Sequence, residues 1–129
     1  MVKPSNSVAV LGQSKLVMYC STVNSAHNFI DWWWVPSEHT QLIPIFQSNT
    51  LVYLYENHIE VFHGPNGQHD LVIHNVKFSD AGNYTCFDDG RLQSAVDNED
   101  FSSAELVVIG SFYLFINLTI TIRLVKTLQ

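Results

Sequence analysis

The stretch "SDAGNYTCFDDG", residues 79 to 90, constrains this chain more than any other. Asp80, Gly82, Tyr84 and Cys86 recur at every second position. Such alternation belongs to a strand, whose successive side chains take opposite faces. Asp and Gly are poor strand formers, however. Something more specific than strand propensity has selected them.

The rest of the chain reads as short apolar runs separated by turn residues. The runs cover 8–11, 15–21, 29–35, 41–47, 51–55, 58–63, 70–76, 83–87 and 104–110. Leu16, Met18 and Cys20 alternate onto one face, as do Ile30, Trp32 and Trp34, with Asp31 and Trp33 opposite. Leu71 and Ile73 share a face of the later run, and "GPNG" (64–67) is a turn signal. The segment 22–28 is polar and loop-like, and 88–103 reads as a polar, acidic loop. No segment carries a helical period. Nine short strands in a chain of 129 residues predict one all-β domain, a sandwich or barrel.

Charge bounds the partners. The net charge is −6, and no Lys or Arg occurs between Lys15 and Lys77. Phosphate contact needs those cations, so nucleic acid is not an expected partner. The two cysteines, Cys20 and Cys86, fit free thiols, a disulfide or half of a metal site. The absence of clustered Cys/His spacing makes metal the weakest of the three. A disulfide would place the chain in an oxidising compartment. Two glycosylation triplets agree with that: Asn83-Tyr84-Thr85 and Asn117-Leu118-Thr119. The N-terminus "MVKPSNSV" has no apolar leader core. The favoured expectation is a mature extracellular domain, at the cell surface or secreted, rather than a cytosolic protein.

Cys20, Trp32, the pair Leu71 and Ile73, and the run "DAGNYTC" (80–86) stand in an order and spacing that resembles an immunoglobulin-superfamily domain over residues 8 to 110. The room between Trp32 and Leu71 holds two further strands, "LIPIF" and "LVYLY", which resembles the V-set. The resemblance implies an immunoglobulin-like V-type β-sandwich of two antiparallel sheets, joined by one intersheet disulfide between Cys20 and Cys86. Trp32 would pack on that disulfide, with Leu71 in the core. Tyr84 would bond back toward Asp80, Gly82 would let the chain turn, and Asp80 would bind the turn or a cation. V-set domains commonly supply an Arg to that Asp; here "ENHIEVF" leaves His58 as the one cation available. Antigen-receptor chains carry Phe-Gly-x-Gly in the last strand, where this sequence reads "FSSAELVV". That argues against an antibody or T-cell-receptor chain and leans toward adhesion molecules and innate or co-receptor ectodomains.

Within this frame Trp33 faces outward on the sheet that V-set domains use for pairing, beside Phe87. Ile43 or Ile45 would complete an apolar patch. The bland alternative is that Phe87 and its neighbours simply cover Trp33. Exposed Trp residues anchor interfaces, so these residues are the candidate interface. The acidic loop supplies a candidate ligand site of Asp88, Asp89, Arg91, Asp97, Glu99 and Asp100, suited to a basic partner. Its spacing is not that of an EF-hand calcium loop, and a merely solvated loop is an equal reading. The six histidines, His27, His39, His58, His63, His69 and His74, read as scattered surface residues rather than a pH sensor. No nucleophile–base set stands out, so no enzyme, cofactor or metal is expected.

The domain is expected over 1–110, with an apolar tail over 111–129. Residues 106–122 are too short for a membrane span once the last strand is taken out. The end of the tail alternates as a strand does. It suits an added edge strand, the start of a following segment, or a truncated anchor, so membrane contact is expected only at or beyond that end. The expected function is recognition of a protein ligand or another immunoglobulin-type domain, with a homodimer through the outer sheet among the outcomes. Homophilic adhesion and a structural spacer are the alternatives.

Overall fold

Period-two alternation dictates the backbone. The computed structural model describes residues 2–21, 30–47, 50–52, 55, 57–65, 67–88 and 101–110. Among them are nine strands: β1 (Ser7–Val10), β2 (Lys15–Met18), β3 (Ile30–Pro36), β4 (Ile43–Gln47), β5 (Thr50–Leu51), β6 (Ile59–Gly64), β7 (Gln68–His74), β8 (Gly82–Asp88) and β9 (Phe101–Ile109). They form a six-stranded sheet, β1-β9-β8-β3-β4-β5, and a three-stranded sheet, β2-β7-β6. The fold is an all-β sandwich, as the alternation predicts.

The core lies between the sheets. Trp32 on β3 stands directly across from Cys86 on β8, so both face inward together. Met18, Leu71 and Ile73 enter from the other sheet, and all five are buried. The Trp32 indole N–H donates to the His69 carbonyl at 2.9 Å, which satisfies the one polar atom that this large ring brings inside. Cys20 and Cys86 form a disulfide across the sandwich, with Cα atoms 6.6 Å apart.

Local chemistry moves several boundaries away from the sequence expectation. β2 ends at Met18 rather than continuing to Ser21, because the buried Asp70 carboxylate accepts the Cys20 N–H at 3.0 Å. A side chain thereby takes a bond that the ladder would have used. The expected strand over 51–55 is short: β5 is Thr50–Leu51, and the Tyr55 N–H folds back onto the Val52 carbonyl. β9 begins at Phe101, inside the expected loop, since Ser102 and Ser103 pair with Cys86 and Thr85. Polar residues of this kind in a strand resemble loop residues in a sequence.

One pairing departs from an antiparallel arrangement. β1 runs parallel to β9, with Ser7 beside Leu106 and Val10 beside Ile109. The segment before β1 bridges Ser21, next to the three-stranded sheet, through Val2. The chain then crosses to the far edge of the six-stranded sheet over the buried Pro4. A partner reached across the whole sequence is free to run parallel, whereas a hairpin partner is not.

Candidate functional site

The site rests on the corner that orients β8. A short 3-10 turn, Phe78–Asp80, precedes the strand. The Asp80 carboxylate accepts the Lys77 N–H at 2.7 Å and closes the turn. His58 Nε2–H donates to both carboxylate oxygens at 2.8 and 2.9 Å. His58 thus occupies the place expected for a cation. The Tyr84 hydroxyl donates to the Asp80 carbonyl, and its ring stacks on Trp34 at 6.0 Å. Burial, then the Asp80 charge, then Tyr55 push the proton affinity of that hydroxyl far up, so it remains a donor.

Gly82 holds φ at +145°, and a Cβ there would lie 2.2 Å from the Val35 carbonyl oxygen and 2.8 Å from Trp34 Nε1. Only a residue without a Cβ lets β8 approach β3 so closely. The corner therefore fixes the phase of β8: Tyr84 and Cys86 point inward, and Asn83, Thr85 and Phe87 outward.

On that outward face Trp33 stands across from Thr85, and Asp31 across from Phe87. Trp33 and Phe87 stack diagonally, with ring centroids 6.4 Å apart and planes 25° apart. Both are half-buried. The Trp33 indole N–H is itself buried and has no hydrogen-bond partner among the described residues. The Thr85 and Ser103 hydroxyls bond each other at 2.8 Å, and Thr85 and Asp31 are buried. The face is thus an aromatic pair among polar residues, open toward Asn83 and Glu105, which are exposed.

The isoleucines do not complete this patch. Ile45 is fully buried in the core, and Ile43 stands across from Trp34, in phase with the inward residues. The residue opposite Trp33 is Pro44. The register shifts by one between Trp32 and Trp33, which sets Ile45 at a bulge. A proline, lacking an N–H, is tolerated next to such a bulge.

Asp88 ends β8. Asp89, Arg91, Asp97, Glu99 and Asp100 lie outside the described residues, as do His27, Asn117 and the tail 111–129. Asn83 is exposed near the start of β8. His39 is exposed, and His74 Nε2 lies 3.3 Å from Glu60.

One cluster is not evident in the sequence reading. His63 and His69 are direct partners across β6 and β7, and their rings meet edge-on at 4.7 Å. Phe46 lies 5.5 Å from the first ring and 6.5 Å from the second. His69 Nδ1–H donates to the Gly67 carbonyl at 3.0 Å. Partial burial, then the His69 charge, hold the His63 proton affinity below that of an ordinary histidine. The signal was their placement on either side of "GPNG", His63 directly before it and His69 two residues after Gly67. Among the described residues no group of three His, Cys, Asp or Glu side chains converges as a metal site. No protein-family model matches the chain, and no curated protein matches it.

Proposed function

We propose that this chain is a variable-type immunoglobulin domain that acts by binding proteins outside the cell, without catalysis, and that the outer face of its six-stranded sheet is the pairing surface. The observation that carries this reading is the half-buried Trp33 stacked on Phe87 on the outward face of the six-stranded sheet. Large aromatic side chains are favoured interface anchors. The strand order supports the variable-type reading, because β4 and β5 extend the sheet beyond β3. The disulfide agrees with an oxidising, extracellular setting. The acidic sequence of residues 88–100, with five carboxylates against Arg91, would suit a basic partner. Immune-type recognition and homophilic adhesion both use such a surface.

The test is light scattering over a concentration series, on the unglycosylated wild-type chain refolded from a bacterial host and on Trp33→Ala made the same way. A reversible dimer that the substitution abolishes supports the reading. Association and partner binding that Trp33→Ala leaves unchanged overturn it. The burial of Asp31 and Thr85 on the same face favours a second reading, a spacer domain. An unglycosylated wild-type chain that stays monomeric and binds no partner would select it.

A further inference from the structure

We infer that Asn83 carries an N-linked glycan and that its presence decides whether the outer face pairs; the second half rests on the pairing reading above. Asn83 is the first residue of an Asn-Tyr-Thr triplet. It lies on the outward face of β8, exposed, between Val35 on β3 and Glu105 on β9. The other residues of the triplet are buried: Tyr84 in the core, and Thr85 with its hydroxyl bonded to Ser103. β8 is also paired along both edges, to β3 and β9.

The folded triplet therefore offers no accessible threonine hydroxyl and no free backbone to a transferase. Attachment has to precede closure of the sheet. Once made, the product fits the fold, because the asparagine side chain points to solvent.

The placement has a consequence for binding. Asn83 is two residues from Thr85, the direct partner of Trp33. At a strand rise of about 3.3 Å per residue that is roughly 7 Å. A bulky, hydrated glycan at that distance overhangs the Trp33–Phe87 pair. A second copy approaching the same face would collide with it or have to desolvate it. The glycosylated form is then monomeric, and the unmodified form is free to pair.

The experiment uses the full chain, secreted from a eukaryotic host behind an added leader, beside Asn83→Gln and Asn83→Gln/Trp33→Ala from the same host. Glycopeptide mass spectrometry reads occupancy at Asn83. Light scattering reads association. The expected result is an occupied Asn83, association of N83Q tighter than wild type by about tenfold or more, and loss of that gain in the double variant. An unmodified Asn83 in the secreted, folded chain overturns the inference, whatever the association. An occupied Asn83 with equal association in wild type and N83Q overturns the gating while leaving the pairing surface standing. An N83Q chain that never associates removes the pairing reading and the gating with it, while occupancy is still read independently.

Discussion

At Gly82 a single methyl group decides whether two strands can meet. A Cβ would sit well inside contact distance of the Val35 carbonyl, on a backbone angle that residues with a side chain rarely take. Gly82→Ala is expected to cost about 1–3 kcal/mol, the range for a residue forced into a sparse backbone region. Urea titration would show it, and a variant as stable as wild type would mean that β8 is free to shift. The same corner shows what residue spacing can encode. Asp80, Gly82, Tyr84 and Cys86 each do a backbone-scale task that few other residues can do, so their order alone announced the turn, the strand and its phase. Trp33 was legible only in part. Alternation placed it outward, but its half-burial and the burial of its indole N–H depend on neighbours that spacing does not specify.

At the scale of elements, the β6–β7 pair is expected to carry a small pH dependence, small because His63 is largely exposed. The folded state holds the His63 proton affinity below the ordinary value near 6.5. The unfolded chain therefore binds that proton more readily. The contribution is complete above about pH 6.5 and declines as pH falls through the lowered value, below which it is constant. His63→Gln should flatten the acid side of a melting-temperature profile relative to wild type. Parallel profiles for the two chains would show that the pair does not couple to folding. Strand-level patterning foretold where most strands lie but not where they fray or bulge. β2 stops where the Asp70 carboxylate, fifty positions later, takes the Cys20 N–H. Ile45 turns inward at a bulge, and Pro44 takes the position opposite Trp33. Both events are set by contacts distant in sequence, to which a period of two is blind.

For the molecule as a whole, the Cys20–Cys86 bond ties the two sheets across the buried core that also holds Trp32. It spans 66 positions, and closing a loop of that size stabilises a fold by about 4 kcal/mol in the chain-entropy model. That is a large part of the stability of a typical domain. Denaturant titration with and without a thiol reductant should separate the midpoints accordingly. Coincident midpoints would mean that core packing alone holds the sheets together. The parallel pairing of β1 and β9 has a mechanical consequence. Ser7 lies beside Leu106 and Val10 beside Ile109, so the chain enters this ladder at one end of the sheet and leaves at the other. Tension applied through the two ends, once past the lone Val2–Ser21 bridge, slides these strands along each other instead of peeling them apart. All four rungs then bear the load together, and the domain yields by shear, at a higher force than a ladder opened one bond at a time.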